Sequence, residues 1–272
     1  MQEAPPVVLT IAGFDPSSGA GVTADIKTVA AHGCYAISAI TAFTVQSTGG
    51  VRRLVPTDPQ VLGSTLDELL LDGKVSAVHI GMLGSGKVAQ RLADFLQTAR
   101  LKNVVLDPVL RSSSGTELLD KAGLEVLTER LLLLSDVFTP NVDEAAALTG
   151  MEAKNPAQME AAAGRLHEMG AKAVIVTGGH LDPPVDVLSV KGEPVQTYAG
   201  ERVDSPNTHG TGCAFSTAIA CQLALGKPLP MAVGLAKAYV SDAIKNSYSI
   251  GRGPGPVNHM YRLGGNSKKR EV

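Results

Sequence analysis

The sequence predicts an α/β fold, a mainly parallel sheet covered by helices on both faces. Two observations carry that expectation. Short, near-continuous apolar runs recur at 7–12, 36–45, 75–80, 104–107, 136–139 and 173–177, the pattern of strands buried on both faces. Between them lie stretches with helical periodicity, an alternation that builds parallel sheets. No Pro/Gly/Ser-rich linker and no repeat of about 20–50 residues interrupts the series. Residues 1–263 therefore read as one domain, with 264–272 as a polar C-terminal tail.

Each element has its own signal. The strand at 7–12 runs into glycines and then a helix near 20–32, and the strand at 36–45 is followed by a helix near 59–72. In that second helix Leu66, Leu69 and Leu70 keep the i, i+3, i+4 spacing of a core-facing stripe. Val88, Leu92, Phe95 and Leu96 do the same after the strand at 75–80. The segment 185–198 alternates instead and contains Gly192-Glu193, which reads as an antiparallel hairpin at the sheet edge.

Composition narrows the function classes. A chain of 272 residues with 44% hydrophobic and 18% charged residues can bury a large core. A net charge of -2, from 24 Lys plus Arg against 26 Asp plus Glu, leaves no electrostatic footprint for nucleic acid or an anionic membrane. A small-molecule partner is the expectation. The apolar run at 131–134 is far shorter than the roughly 18 residues of a membrane span. The Pro-rich, acidic start is unlike the basic n-region of a signal peptide. Cys34, Cys213 and Cys221 are too few and scattered for a disulfide framework or C-x-x-C metal site, so reduced thiols and a cytoplasmic setting are expected.

Glycine is in excess, 29 residues in the chain, and the excess is clustered. Gly13-Phe14-Asp15-Pro16-Ser17-Ser18-Gly19-Ala20-Gly21 follows the first strand. Its Gly19-x-Gly21-x-x-Ala24 spacing matches a dinucleotide fingerprint, but no acidic residue follows about 20 positions on. A tight strand-to-helix turn and a loop closing over a small ligand, with Asp25 in the first helical turns, both fit. Gly81-Met82-Leu83-Gly84-Ser85-Gly86-Lys87-Val88 has P-loop spacing, yet Val88 occupies the position of the magnesium-binding hydroxyl. It is read as a helix start with a surface lysine.

The third cluster, Asn207-Thr208-His209-Gly210-Thr211-Gly212-Cys213, opens a helix. Gly210 and Gly212 leave backbone N–H groups bare where the helix dipole attracts phosphate oxygens. Cys213 lies in the same first turn, where the dipole is expected to lower a thiol's pKa. Asn141 and Glu144 have capping-box spacing, and the same pair at a strand end could orient waters around Mg²⁺. Asp107, before Pro108, is either a metal-shell carboxylate or a turn former. Gln46 follows an apolar strand, and its amide can donate and accept side by side against a heterocycle.

Thr10-Ile11-Ala12-Gly13-Phe14-Asp15-Pro16-Ser17-Ser18-Gly19-Ala20-Gly21, Thr41-Ala42-Phe43-Thr44-Val45-Gln46, Ile80-Gly81-Met82-Leu83, Leu106-Asp107-Pro108-Val109, Thr139-Pro140-Asn141 with Glu144, Gly178-Gly179-His180 and His209-Gly210-Thr211-Gly212-Cys213 together resemble the hydroxymethylpyrimidine/phosphomethylpyrimidine kinases. The likeness runs in order to Gly251-x-Gly253-x-Gly255-Pro256-Val257, nearly the whole chain. It implies a ribokinase-like α/β/α sandwich and ATP- and Mg²⁺-dependent phosphorylation of a pyrimidine alcohol and its monophosphate. It also implies a homodimer.

The resemblance further implies roles. Gln46 would read the aminopyrimidine, with Gly13, Ala20, Asp25, Met82 and Val109 lining its pocket. Gly210, Thr211 and Gly212 would hold the transferring phosphoryl group, with Cys213 as base. Asn141, Thr177, Gly179 and Thr208 would contact the nucleotide, and Asp107 and Glu144 the metal. Two positions depart from the family's habit: Thr177 stands where a lysine is usual, and Arg111 follows Val109-Leu110. Either Arg111 restores the missing charge or the phosphate site carries less of it. The competing readings are a pyridoxal/pyridoxine kinase and a non-catalytic pyrimidine-binding regulator.

Overall fold

The computed structural model describes residues 3–263, so the tail expected at 264–272 lies outside the described residues. The strands are β1 (Val7–Phe14), β2 (Tyr35–Ser47), β3 (Gly50–Pro56), β4 (Ala77–Ile80), β5 (Val104–Leu106), β6 (Val137–Phe138), β7 (Ala173–Gly178), β8 (Val185–Val190) and β9 (Gln196–Ala199). They form one sheet in the order β3-β2-β1-β4-β5-β6-β7-β8-β9. Pairing is parallel from β2 through β7 and antiparallel at both edges.

Helices cover both faces. They are α1 (Gly21–Ala31), α2 (Pro59–Asp72), α3 (Gly86–Ala99), α4 (Lys121–Val126), α5 (Leu132–Leu134), α6 (Val142–Thr149), α7 (Pro156–Glu168), α8 (Thr211–Ala224) and α9 (Leu229–Lys245), with a π-helical stretch at Leu127–Leu131 joining α4 to α5. Period-2 alternation sorts the strand residues between two cores. Leu9, Ile11, Val78, Ile80 and Leu106 pack with Leu66 of α2, Leu92 of α3 and Leu166 of α7. Val8, Ala77 and Val105 pack with Val29 of α1, Ile219 of α8 and Val233 of α9. Each fully buried aliphatic of this size contributes about 1.5–3 kcal/mol.

On the α1/α8 face, Thr10 and His79 are polar positions, directly opposite each other across β1 and β4. The expected hairpin at the β8–β9 edge is present. The opposite edge was not expected. Arg52 and Arg53 interrupt any apolar run at 50–56, yet Gly49 and Gly50 turn the chain so that this segment pairs antiparallel with β2. Gln46 consequently sits inside β2, at a register shift, and not in a loop after it. The chain runs from β1 to β2 on one side and later to β4 on the other. That reversal opens a crevice at the strands' carboxyl ends, where open α/β sheets bind ligands.

Candidate active site

Three glycine-bearing segments meet at this crevice. After β1 the chain turns through 15–20, and the buried Asp15 carboxylate organises the turn. Its Oδ1 accepts from Ser17 N at 2.8 Å and Ser17 Oγ at 2.7 Å, and its Oδ2 from Ala20 N at 3.0 Å. Oδ2 also accepts from His209 Nε2 at 2.9 Å, tying this loop to the segment that opens α8. Burial opposes the charged form of Asp15, but the bonds from His209 and Ser17 outweigh it and hold its pKa below the ordinary carboxylate value.

Gly210 is the N-cap of α8, with φ of 86° and no side chain to cap the first turn. A Cβ there would lie 1.8 Å from Gly19 O, so the two glycine loops touch backbone to backbone and only glycine fits. The segment expected to carry the end of the likeness braces this contact. His209 N donates to Gly255 O at 3.1 Å, and Asn207 Oδ1 accepts from Gly255 N at 3.1 Å.

Beside the hole is an apolar pocket wall. Met82 packs with Ala42 and Leu118, with Val109, Val51 and Leu54 against them. Gly13 allows this, since a Cβ there would lie 1.9 Å from Met82 Cε. Gln46 is half-buried at the rim, its Oε1 accepting from Thr44 Oγ1 at 3.0 Å. Its Nε2 is 3.5 Å from His209 Nε2, too long and wrongly polarised for a bond once that ring nitrogen donates to Asp15, so the amide stays available to a ligand.

Opposite the hole, at the end of β5, stands Asp107, 6% exposed, with Oδ2 4.0 Å from the point a Gly212 Cβ would occupy. Glu144 lies on α6. Asn141 and Glu144 form the expected capping box, Asn141 Oδ1 accepting from Glu144 N and Glu144 Oε2 from Asn141 N, both at 2.9 Å. The cap does not spend the carboxylate's electrostatic role. Burial and repulsion from Asp107 push Glu144 up to about 8, against the N–H groups of Asn141 and Leu110 that stabilise its charge. Burial likewise raises Asp107 to about 6, offset by His79 and Ser216. Two carboxylates held together this way favour an added positive charge between or beside them.

Cys213 departs from expectation. Burial and the carboxylates of Asp107 and Asp25 push its thiol well above the ordinary value, and the Gly21 N–H only partly opposes them. The helix dipole contributes about half an elementary charge at one end, and burial together with the full charges facing the thiol outweighs it.

Asp25 also departs. It is 0% exposed, and its carboxylate is consumed inside the protein: Thr10 Oγ1 donates to Oδ2 at 2.5 Å, Thr217 Oγ1 to Oδ1 at 2.9 Å, and His79 Nδ1 lies 3.1 Å from Oδ2. Asp25 backs the pocket and does not line it. Ala20 is the N-cap of α1, its N–H donating to Asp15 Oδ2 at 3.0 Å.

Of the expected nucleotide contacts, Asn141 and Thr177 are brought together by a parallel bridge, Thr177 N donating to Pro140 O at 2.9 Å. Gly179 and Thr208 are exposed, and Thr211 leads α8 from Thr208 O. Arg111 pairs with Glu117 at 3.5 Å on the surface. Lys87 is exposed beyond the Ser85-capped start of α3, as the failed P-loop match implied. Sequence reading passed over Asp15, His79 and Ser216, and left His209 unassigned. For Asp15 the available signal was Asp-Pro-Ser in a turn.

A bare glycine-opened helix start, an apolar wall and a pair of buried carboxylates at the strands' carboxyl ends are a layout that suits a small-molecule kinase. Comparison with known proteins says which kind. The phosphomethylpyrimidine kinase family description matches residues 15–258. The Haemophilus influenzae hydroxymethylpyrimidine/phosphomethylpyrimidine kinase is 40% identical over 93% of this chain and 96% of its own. The thiamine biosynthesis bifunctional protein ThiED of Geobacter sulfurreducens is 42% identical over 93% of this chain, which spans only 52% of that longer protein. Among solved structures, the ADP complex of Bacillus subtilis pyridoxal kinase superposes with a TM-score of 0.86 at 34% identity, over 94% of this chain and 98% of that one. The chain belongs to the phosphomethylpyrimidine kinase family, and its fold is the ribokinase-like sandwich.

Proposed function

We propose that the protein uses ATP to phosphorylate 4-amino-5-hydroxymethyl-2-methylpyrimidine and then the resulting monophosphate, yielding the diphosphate used in thiamine biosynthesis. The observation that carries this reading is the end-to-end likeness to the Haemophilus enzyme together with the Gln46 Nε2 group, left to a ligand beside the Met82–Val109 wall while Oε1 accepts from Thr44. Residues 1–263 act as one catalytic domain in this reading, supported by the single sheet.

Phosphoryl transfer depends mostly on in-line positioning and charge neutralisation. Gln46, with Gly13, Ala20, Met82 and Val109, places the pyrimidine so that its hydroxymethyl oxygen faces α8. Backbone N–H groups at Gly210, Thr211 and Gly212 hold the transferring phosphoryl group. Asn141, Thr177, Gly179 and Thr208 flank the nucleotide phosphates. Among the described residues no three His, Cys, Asp or Glu side chains converge as a metal cage. Magnesium, however, is usually held by one or two carboxylates plus substrate phosphates, and Asp107 and Glu144 suit that. Bound there, the ion would offset the phosphates' charge. Cys213 takes the alcohol proton. Burial and the facing carboxylates favour its neutral thiol, so the role requires the thiolate, which positive charge held at Asp107 and Glu144 would favour.

A homodimer is supported by the exposed apolar side chains Phe43, Val45 and Val55 on the β2–β3 edge. A cytoplasmic setting fits a chain in which no described helix is long and apolar enough to cross a membrane. A second reading, pyridoxal kinase, is favoured by the likeness to the Bacillus structure.

Phosphorus NMR of the protein with ATP, Mg²⁺ and the pyrimidine alcohol tests the proposal. ADP, a phosphate ester and then a diphosphate are expected. A strong preference for pyridoxal in parallel reactions overturns the substrate assignment, and absence of any ADP leaves only a pyrimidine-binding regulator.

A further inference from the structure

Beneath the site runs a file of buried polar groups that the mechanism above does not use. Thr10 of β1, Asp25 of α1, His79 of β4, and Ser216 and Thr217 of α8 are all 0% exposed. His79 Nδ1 lies 3.1 Å from Asp25 Oδ2, and His79 Nε2 lies 2.9 Å from Ser216 Oγ. Ser216 Oγ in turn lies 3.2 Å from Asp107 Oδ2. The file thus starts under the middle of the sheet and ends on a carboxylate of the site.

A buried ionic cluster is no better for stability than apolar residues of the same volume, so its presence asks for another reason. Its polarity supplies one. Burial disfavours a charged His79, but attraction to Asp25, the hydrogen bond between them and attraction to Asp107 outweigh it, and its pKa is raised. A His79 ring protonated at both nitrogens would donate to Ser216 Oγ at 2.9 Å and not accept from it. The single Ser216 hydrogen is then free for an acceptor, either Asp107 Oδ2 or the helical carbonyls of Gly212 at 3.0 Å and Cys213 at 3.2 Å. Ser216 also sits one turn beyond Gly212, so its anchorage to His79 sets α8 against the sheet end that carries Asp107.

We propose that His79 and Ser216 are positioning residues: the buried file Asp25–His79–Ser216 orients the Asp107 carboxylate towards the metal-bearing phosphates at the start of α8. This rests on the reading of Asp107 as a metal-facing carboxylate. Thr217 provides an internal control, because it bonds Asp25 and lies 3.2 Å from His79 Nδ1 but is not in the link from His79 to Asp107.

The test compares the full-length protein with its S216A, H79Q and T217V variants by three measurements: melting temperature, Mn²⁺ affinity in the presence of ADP by electron paramagnetic resonance, and steady-state kinetics. Removing partners that orient a metal ligand typically costs about 10–100-fold in metal affinity or activity. S216A and H79Q should each weaken Mn²⁺ binding about tenfold or more and lower kcat while KM for the pyrimidine alcohol stays within about twofold. T217V should melt lower yet weaken Mn²⁺ binding with ADP far less than S216A does. Wild-type Mn²⁺ affinity in S216A overturns the proposal, as does loss in T217V equal to that in S216A, which would mark the file as structural only. Because Mn²⁺–ADP binding does not involve the alcohol, an error in the substrate assignment would leave this comparison intact and show itself only in the kinetics.

Discussion

His209 Nε2 donates to Asp15 Oδ2 across 2.9 Å, joining residues 194 positions apart. The bond buckles the loop after β1 to the segment that opens α8, beside the backbone contact of Gly19 with Gly210, and so fixes the loops proposed to hold the alcohol and the phosphate. Both Asp15 oxygens face donors, Ser17 on one side and Ala20 and His209 on the other. An amide would turn its NH₂ towards one of these groups. Asp15→Asn should therefore raise KM for the pyrimidine about tenfold, the loss of roughly one charge-assisted bond, with a smaller change in kcat. Initial-rate kinetics check this, and an unchanged KM would remove the buckle from substrate binding.

Gly210→Ala should be more damaging. The φ of 86° is unfavourable for alanine by about 1–2 kcal/mol, and the new methyl would meet Gly19 O at 1.8 Å. Separation of the two loops is the way to relieve that clash. Near-complete loss of phosphorylation and a melting temperature lower by several degrees are expected; retention of both would mean the loops are not closely packed.

Glu144 makes a pH-dependent prediction. Its folded pKa of about 8 lies above the ordinary 4.5, so the folded state holds more proton than the unfolded state between these values. Stability from this group is therefore greatest below pH 4.5 and declines as pH rises towards 8. Partial exposure reduces the effect to on the order of 1–2 kcal/mol, a few degrees of melting temperature. Without divalent cation the melting temperature should decline over that window, Mg²⁺ with ADP should restore it most at the alkaline end, and Glu144→Gln should flatten the slope. Calorimetric scans from acid to alkaline pH measure all three.

Cys213→Ala should separate the two phosphorylations. An alcohol must lose its proton, while the monophosphate acceptor is already an anion. The first step should slow about a hundredfold or more, as for loss of a general base, and the second less than about tenfold. Single-turnover measurements on each acceptor decide it, and equal losses would take the base role from Cys213.

Much of the architecture could be read before any coordinates. The apolar runs located the parallel strands because strands buried on both faces leave no polar alternation to misplace. The Asn141–Glu144 cap and the lysine-bearing start of α3 were likewise local patterns with local consequences. The β3 edge strand escaped because Arg52 and Arg53 face outward at a sheet edge, where no apolar pattern is needed. Asp25 was assigned to the wrong layer. Its proximity to the glycine loop in sequence says nothing about the turn of α1 that points it under the sheet towards His79.

Periodicity and turn chemistry, which act over a few residues, were enough to establish the α/β class and to put the glycines at strand ends. The protonation of Cys213, the pairing of Asp15 with His209 and the file from Asp25 to Asp107 depend on distances between segments remote in sequence, and on how far each charge is removed from water. Those quantities exist only once the chain has packed. For Cys213 they reversed the sign that the helix position alone implied, because burial, with the neighbouring carboxylates added to it, outweighs a helix dipole.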